Sequence, residues 1–525
     1  MEHTPWLSIL TFVPLLFGIL VLFFKDNSTV VRGLALTGTI ITFLISLMVW
    51  GQYGGAAHVN GFALTEQYSW ISMVHVNYML GLDGISLLMV LMTTVIWPFI
   101  VWVSQRDIKE REHQYYFWAL LLETAVLGVF LSLDLVLYYV FWEAMLIPLY
   151  FIVGIWGGPQ RVYATVKFFL YTMVGSMVML VSILALYFAA GASTFDLPAL
   201  QQNLAMHGLG AAKEMLLFFG FFLAFAIKAP MWPFHTWVPD AYSQAPTGGT
   251  IMLVALKMGL YGFIRFCLPL FPHAVHDSAP VIITFSVIGV IYAAWVAAMQ
   301  TDLKRLLAYS SISHVGVIML AIFALNGIGI AGAVIQMVAH TLTMGALFIL
   351  VYGLYERRGS YAIADFGGLT KVMPAFTVVF LIAVLSSVAL PTTAGFTGEF
   401  MMLIGAFQTY PVATGFATTA AIWSVVYMLW MFQRVMYGKI DKPENEKLPD
   451  WAMNEKIALV PLILLIFFIG VYPRPVLNPL NQSVSTIVGA LPSDVTDTSA
   501  SSGGYLYDAV AKNTGRLGEA KGGAQ

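Results

Sequence analysis

The chain has 525 residues, of which 59% are hydrophobic and only 10% charged, and its mean hydropathy is +0.82. This composition excludes a soluble globular domain, because apolar runs of about 20 residues have the length of a membrane-spanning helix. A net charge of −2 excludes a basic surface for nucleic acid, and a single cysteine excludes a disulfide framework or an all-cysteine iron–sulfur cluster in this chain.

Fourteen membrane-spanning helices are predicted. In chain order they cover about residues 5–24, 29–50, 84–104, 115–133, 135–155, 163–190, 215–239, 245–271, 278–300, 304–325, 329–352, 371–409, 411–434 and 455–474. The first span lacks a basic leading region and a cleavage site, so we expect it to be retained. Lys and Arg concentrate in the loops after odd-numbered spans, with Lys213 as an exception. The positive-inside rule therefore places these loops in the cytoplasm and both termini outside.

Two spans are predicted to be interrupted. The seventh contains Pro230, Pro233 and Pro239, and the twelfth has a break around Pro391 and Gly395. Proline removes a helical hydrogen bond, and broken backbone survives at membrane depth only inside protein or beside a watery cavity. Interrupted helices in corresponding places indicate inverted repeats. We therefore predict an all-α polytopic membrane protein in which spans 4–8 and 9–13 form two inverted five-helix repeats.

The predicted organisation follows from these spans. Residues 1–83 hold two spans and an external loop, 84–114 the third span and a cytoplasmic loop, 115–271 the first repeat, 278–438 the second, 439–475 a cytoplasmic connector and the last span, and 476–525 an external flexible tail. Alternation from Ile71 to Leu80 predicts a short external hairpin. The tail from Ser493 has the Gly, Ser, Ala and Asp content typical of mobile segments.

Five ionisable residues lie inside apolar spans: Glu123, Glu143, Lys228, Lys257 and Glu399. A charge at the centre of a bilayer costs at least about 2.5–3.5 kcal/mol, so such residues are rare and usually mark an ion or proton path. This row predicts a protein that moves cations.

Glu143 has few hydrogen-bonding neighbours in sequence, so its ionised form needs a partner from another helix, and Lys228 is the natural candidate. The protonation of each would depend on whether the two are together or apart, as a proton switch requires. The alternative is a permanent structural ion pair, which is costly compared with apolar packing.

Lys257 has no acidic residue in its span, and a lone buried lysine readily exchanges its proton. The alternative is snorkelling to the interface. His314 and His340 lie near the middle of the tenth and eleventh spans, and imidazole is a good proton relay near neutral pH. Two histidines on adjacent helices are also compatible with a haem, which would make the chain an electron-transfer subunit.

Glu399 follows the break in the twelfth span and could pass a proton to the outside; its alternative is a charge stabilised by the dipole of the second half-helix. Glu123 is either a relay member or the partner of a residue on a neighbouring subunit. His235 lies in the interrupted seventh span and is a further candidate. Asp134 lies at the outer boundary between the fourth and fifth spans, where solvation or helix capping is expected.

Four segments carry a resemblance to a known family: FWEAMLIPLYF (141–151), HTWVPDAYSQAPTGGT (235–250), TDLKRLLAYSSISHVG (301–316) and LPTTAGFTGEFMMLIGAF (390–407). They resemble the antiporter-like membrane-arm subunits of proton-pumping NADH:quinone oxidoreductase, respiratory complex I. The resemblance extends over about residues 76–475. Multisubunit Na⁺/H⁺ antiporters and membrane-bound hydrogenases share the pattern. Glutamate at position 399 is similar to the M-type subunits, called chain 4 in mitochondria, whereas the two other types have lysine there.

The resemblance implies a fourteen-helix fold with two inverted five-helix repeats. Glu143 matches the glutamate of the fifth helix, Lys228 the lysine beside the seventh-helix break, and Lys257 the central lysine. His340 matches a central histidine and Glu399 the acid of the twelfth helix, whereas Glu123 departs from the family pattern. The implied mechanism is a change in Glu143–Lys228 pairing that alters the proton affinity of Lys257 and sends its proton toward Glu399.

The resemblance also implies that this chain holds no cofactor or metal, and that FMN, iron–sulfur clusters and quinone belong to partner subunits. Expected partners are neighbouring antiporter-like subunits, the lipid bilayer and protons, but no nucleic acid, in a bacterial inner membrane rather than a mitochondrial one. The alternatives are a subunit of a multisubunit Na⁺/H⁺ antiporter and a purely structural spacer.

Overall fold

The computed structural model describes residues 4–191 and 193–491. The first half contains helices α1 (Trp6–Leu22), α2 (Ser28–Tyr53), α3 (Gly84–Asp107), α4 (Glu112–Leu131), α5 (Leu135–Ala144), α6 (Leu146–Trp156), α7 (Arg161–Ala189), α8 (Leu197–His207), α9 (Ala211–Lys228), α10 (Val238–Gln244), α11 (Thr247–Ala255), α12 (Met258–Gly262) and α13 (Leu268–Leu270). A π-helical turn, Phe263–Cys267, joins α12 to α13.

The second half contains α14 (Pro272–Ala298), α15 (Leu303–Phe323), α16 (Gly327–Arg358), α17 (Pro374–Ser387), α18 (Ala394–Thr409), α19 (Pro411–Met436), α20 (Met453–Val471) and α21 (Arg474–Gly489). Short 3₁₀ turns lie at Ser72–Val74, Ile363–Asp365, Leu369–Lys371 and Pro443–Asn445.

Among the described residues, eleven helical segments are long and apolar enough to cross a membrane, and Trp6–Leu22 and Pro374–Ser387 are shorter apolar helices. Helices α11 and α16 lie at the centre, where their apolar windows are completely buried, whereas α2, α7, α19 and α20 have less than half of theirs buried. The chain is therefore a polytopic helical membrane protein, as its composition predicts. The count of fourteen spans and the two inverted repeats stay predictions.

The expected hairpin is confirmed and is part of a larger sheet, whereas its external location stays a prediction. Strands β1 (His58–Val59), β2 (Phe62–Ile71) and β3 (Val76–Leu82) form an antiparallel sheet in the order β1-β2-β3. The hairpin begins earlier than predicted because β2 extends back to Phe62. Glu66 in β2 accepts a 2.7 Å hydrogen bond from the Leu7 backbone N–H, which holds the start of α1 against the sheet.

Helix ends that carry Lys and Arg meet on one side of the molecule. Three ion pairs join helices there: Arg32 with Glu112, Arg106 with Glu356, and Arg357 with Glu455. These pairs connect α2 to α4, α3 to α16 and α16 to α20. The structure thus gathers these basic ends on one face, called here the basic side, as the charge alternation predicts. The sheet is at the opposite ends of α1 and α3.

Four predicted spans are interrupted. Both predicted breaks are present, at 229–237 between α9 and α10 and at 388–393 between α17 and α18. Two more divide the fifth span at Met145 and the eighth span at 256–257. Pro148 explains the break at Met145, because it has no N–H to donate to the carbonyl four residues earlier.

The predicted flexible tail 476–525 begins too early. Residues up to Gly489 belong to α21, which buries one apolar stripe: Val476, Leu480, Val484 and Ile487. Ser483 Oγ accepts a 2.8 Å hydrogen bond from the Gly84 backbone N–H and so ties α21 to the start of α3. The remainder of the expected tail, 492–525, lies outside the described residues.

Candidate functional site

Four of the five charged residues predicted at membrane depth lie at or near helix breaks, and Glu123 does not. Glu143 is the penultimate residue of α5, Lys228 ends α9, and Lys257 occupies the break between α11 and α12. Glu399 is in the second turn of α18, after the break in the twelfth span. A helix break leaves backbone polar groups without helical partners. These four side chains therefore lie in the most polar parts of an otherwise apolar core.

Glu143 and Lys228 are near each other but do not form a direct ion pair. Lys228 is 3% exposed, and its Nζ has no hydrogen-bond partner among the described residues. Aromatic rings face it instead, with Nζ 5.1 Å from the centroid of Phe168 and 6.0 Å from that of Trp142. The carboxylate of Glu143 interacts with Lys228 electrostatically from further away. The structure thus shows the two groups in a separated arrangement, and their exchange between paired and separated states stays a prediction.

A small cavity separates Lys228 from Lys257. It has a volume of about 20 Å³, which is enough for one water molecule. Both lysines line it, together with Trp237, Tyr242 and Ser311. The two lysine side chains therefore border one shared space, within which a charge on one lysine raises the energy of a charge on the other.

Lys257 contacts a histidine of the second predicted repeat. Its Nζ lies 3.1 Å from Nδ1 of His340, and both residues are 4% exposed. Snorkelling is therefore wrong for Lys257, because its amine is bonded in the centre of the molecule. The rings of His314 and His340 pack edge to face with centroids 5.6 Å apart. The structure brings Lys257, His340 and His314 together as one buried cluster.

A second cavity continues from this cluster toward α18. It has a volume of about 10 Å³ and is lined by His314, Gln336, Ala339, His340, Thr343, Met344, Ser386, Ser387 and Gly395. Gly395 belongs to α18, one turn before Glu399. A porphyrin is far larger than this space, so the haem alternative has no support in the geometry. Among the described residues, no group of three or more His, Cys, Asp or Glu side chains is arranged to hold a metal.

Glu399 lies at the far end of this row and is buried, with 8% exposure. It is close enough to interact electrostatically with the Tyr427 hydroxyl of α19. Tyr427 donates a 3.0 Å hydrogen bond to Ser310 Oγ of α15. Glu399 is therefore enclosed by the protein, and in the described part of the chain no cationic side chain forms an ion pair with it.

Three remaining candidates lie outside this row. Glu123 is completely buried in α4, with both carboxylate oxygens unpartnered among the described residues, so it cannot contact a neighbouring subunit directly as one expectation had it. His235 lies in the α9–α10 break with its ring 5.3 Å from that of Tyr292. Asp134 caps α5 by accepting hydrogen bonds from the N–H groups of Val136 and Leu137, as predicted.

Sequence reasoning missed three neutral members of the site. Tyr242 and Gln336 line the two cavities, and Tyr427 lies beside Glu399. A polar side chain in the middle of an apolar span is the signal that points to Gln336. Tyr242 and Tyr427 offered no such signal, because tyrosine is common in membrane spans.

The comparisons agree with this architecture. The family described as NADH:quinone oxidoreductase/Mrp antiporter, TM, matches residues 132–424. NADH-quinone oxidoreductase subunit M of Rhodobacter capsulatus is 40% identical over 521 residues, which are 97% of this chain and 99% of the relative. The same subunit of Rickettsia prowazekii is 38% identical and covers 93% of this chain and 99% of the relative.

Among solved structures, a chain of respiratory complex I from Thermus thermophilus matches with a TM-score of 0.83 and 31% identity. The match covers 92% of this chain and 100% of that one. A chain of the Mrp complex from Dietzia sp. DQ12-45-1b matches with a TM-score of 0.79 but only 19% identity, covering 98% and 60%, so it supports the fold alone. By these matches, the chain belongs to the subunit M family of NADH:quinone oxidoreductase.

Proposed function

We propose that the chain is the proton-translocating M subunit of a bacterial NADH:quinone oxidoreductase in the inner membrane. The observation that carries the proposal is the contact of Lys257 with His340 between two small cavities. It gives a row that runs from the half-buried Glu143 through the buried Lys228, Lys257 and His340 to Glu399. Membership in the subunit M family supports the same function.

The protonation states follow from elementary hydrogen-bond chemistry. When the Lys257 ammonium donates to Nδ1 of His340, the neutral imidazole carries its own proton on Nε2. If the proton of Lys257 then moves to Nδ1, the proton on Nε2 can leave on the opposite side of the ring. His340 thus passes one proton onward without a rotation of its side chain and is left as the Nδ1–H tautomer, so a ring flip or proton exchange must restore the Nε2–H tautomer before the next transfer. His314 adjusts the electrostatics of the same ring.

The Glu143–Lys228 pair supplies the switch. When the two are apart, the charge of Lys228 is not neutralised and opposes a second positive charge on Lys257 across the first cavity. Lys257 then favours release of its proton to His340. When Glu143 approaches Lys228, that repulsion falls and Lys257 can take up another proton.

The energy for these steps must come from outside this row. Moving one charge across the membrane costs about 2.3 kcal/mol for each 100 mV. We assign the supply of this energy to quinone reduction in partner subunits that carry FMN and iron–sulfur clusters. Neighbouring antiporter-like subunits would receive and transmit the charge change at Glu143, which is partly exposed on the outer face of α5.

The test is NADH-driven proton uptake into inverted membrane vesicles that contain the Glu143→Gln variant. We expect a loss of at least about tenfold with normal assembly of the complex on native gels. Glu446→Gln is the matched control, because it makes the same chemical change at an exposed position of the connector. Normal uptake by Glu143→Gln would refute the proposed path.

The composition of the purified complex distinguishes the proposed function from the alternative of a Na⁺/H⁺ antiporter subunit. We expect flavin and iron–sulfur subunits to copurify with a tagged chain. Their absence, together with Na⁺-dependent proton movement in vesicles without NADH, would favour the antiporter.

A further inference from the structure

Gln336 lies one turn before His340 on α16, in the centre of the molecule. It is 3% exposed, and its side-chain oxygen has no hydrogen-bond partner among the described residues. A buried amide oxygen without a partner is uncommon, because leaving a polar atom unsatisfied is costly. Gln336 is therefore poorly explained as a packing residue alone.

The second cavity gives this amide a possible partner. Gln336 and His340 both line it, and Nε2 of His340 also has no partner in the described part of the chain. Nδ1 of the same ring is already used by Lys257, so Nε2 is the atom left to face away from that lysine. Two unsatisfied polar atoms beside a space of about 10 Å³ meet the usual conditions for one buried water molecule.

A close approach between helices fixes the position of the amide. A β-carbon added to Gly398 of α18 would lie 2.5 Å from the Gln336 side-chain oxygen and 2.9 Å from its α-carbon. Glycine at 398 therefore lets α16 and α18 approach until the amide lies against the residue next to Glu399. Gln336 thus lies between the second cavity and the α18 backbone at Gly398, next to Glu399.

We propose that Gln336 is a positioning residue that holds one water molecule between His340 and the Glu399 end of the row. The inference rests on the proposed function and deepens it. His340 donates from Nε2–H to this water, and the amide oxygen of Gln336 accepts a hydrogen bond from it. In the transfer, the Nε2–H bond breaks and an O–H bond forms on the water, which releases another proton toward Glu399. The water is regenerated, and Gln336 stays neutral throughout.

The experiment compares three variants in the assembled complex. Gln336→Met keeps the size but removes the amide, Gln336→Asn keeps a shorter amide, and Thr341→Val is the control. Thr341 is buried on the same helix, but its hydroxyl is already bonded to the Met337 carbonyl at 2.9 Å. Proton uptake driven by NADH is measured in vesicles in H₂O and in D₂O.

We expect Gln336→Met to slow uptake at least about fivefold and to raise the solvent isotope effect, because proton transfer becomes rate-limiting. Gln336→Asn should retain more than about half of the rate, since the space freed beside the shorter amide admits a second water. Thr341→Val should match the wild type in both measurements. A wild-type rate for assembled Gln336→Met, or an equal loss in Thr341→Val, would overturn the inference.

Two further variants distinguish a failure of the role of Gln336 from a failure of the proposed function. If Gln336→Met fails to assemble, Gly398→Ala tests the same point, because its methyl group displaces the amide and also pushes the Gln336 backbone away from α18; an undiminished rate there would overturn the inference. Lys257→Met is measured in the same vesicles. Normal pumping by Lys257→Met refutes the proposed function itself, whereas loss in Lys257→Met with normal Gln336→Met refutes only the role of Gln336.

Discussion

Lys257 Nζ and His340 Nδ1 lie 3.1 Å apart although 83 residues separate them in the chain. The contact joins the break between α11 and α12 to the middle of α16. It therefore links the two predicted repeats through a pair of titratable groups, and the first prediction concerns this pair.

Lys257→Arg should stop proton uptake as completely as Lys257→Met does. A guanidinium keeps the positive charge and the donor to His340, but it does not release its proton at any relevant pH. We expect both variants to lose at least about tenfold in vesicle proton uptake while the complex still assembles. Substantial activity in Lys257→Arg would mean that only a fixed charge is needed at this position, and the relay would be wrong.

A second prediction concerns the buried ion pair between Asp83 and Arg265, which joins the start of α3 to the π-helical turn after α12. Arg265 Nε also donates a 3.0 Å hydrogen bond to the Tyr261 hydroxyl. Arg265→Met would leave the Asp83 carboxylate uncompensated, at a cost of about 3–5 kcal/mol. The double variant Asp83→Asn/Arg265→Met should recover part of this loss, because no buried charge remains.

Cys267 offers the measurement, because this single cysteine is buried two residues from Arg265. Its labelling by a thiol reagent, followed by mass spectrometry of the purified complex, reports local opening. We expect fast labelling in Arg265→Met and slower labelling in the double variant. Equal labelling of the wild type and Arg265→Met would show that the pair does not stabilise this region.

Gly84→Ala should loosen α21. A β-carbon at Gly84 would collide with the Pro479 carbonyl, which is backbone and cannot rotate away. The control is Gly51→Ala in α2, where no atom lies within 4 Å of the added carbon, and alanine there favours the helix by up to about 1 kcal/mol. Limited proteolysis after residue 471 should be faster in Gly84→Ala and unchanged in Gly51→Ala.

Asp134 predicts a pH dependence of stability where α5 meets the sheet. Burial raises the pKa of this carboxyl to about 6, above its ordinary value near 4, despite its hydrogen bonds to three backbone N–H groups. The folded state therefore favours the protonated form. Stability increases as the pH falls from about 7 toward 4 and decreases as the pH rises through about 6, with a total change of up to about 3 kcal/mol.

Asp134→Asn should remove this dependence, since asparagine also caps a helix but has no proton to lose. The variant should gain stability relative to the wild type at pH 7 and much less at pH 4.5, measured by Cys267 labelling across the pH range. Asp277→Asn, at a largely exposed position on the same side, is the control. A constant difference between Asp134→Asn and the wild type would contradict the prediction.

The spans were predictable because each is a long apolar run, and both proline-rich breaks were recognisable for the same local reason. The break at Met145 had a signal in Pro148, whereas the one at Lys257 has no proline nearby. That break lies where the chain packs closely against α9, since a β-carbon on Gly259 would lie 2.6 Å from backbone atoms of Ala229 and Phe225. The local sequence pattern does not predict such tertiary contacts.

The ionisable residues of the site were predictable from the cost of burying charge, but their order in space was not. The Lys257–His340 contact spans two helices of different predicted repeats, and no pattern in either helix specifies the pairing. Gln336 was missed because it is neutral. Val476, Leu480, Val484 and Ile487 of α21 have helical spacing in the sequence. The helix was nevertheless missed, because the residues between them are mostly polar and the segment does not read as an apolar span.

The sizes of the two cavities have a consequence for the resting membrane. Each has room for about one water molecule, and side chains close the row between them. A continuous water column would let protons run back down the electrochemical gradient and discharge it. On the proposed path, the loss of one water interrupts conduction, so the idle subunit behaves as an electrical insulator until charge movement at Glu143 and Lys228 opens it.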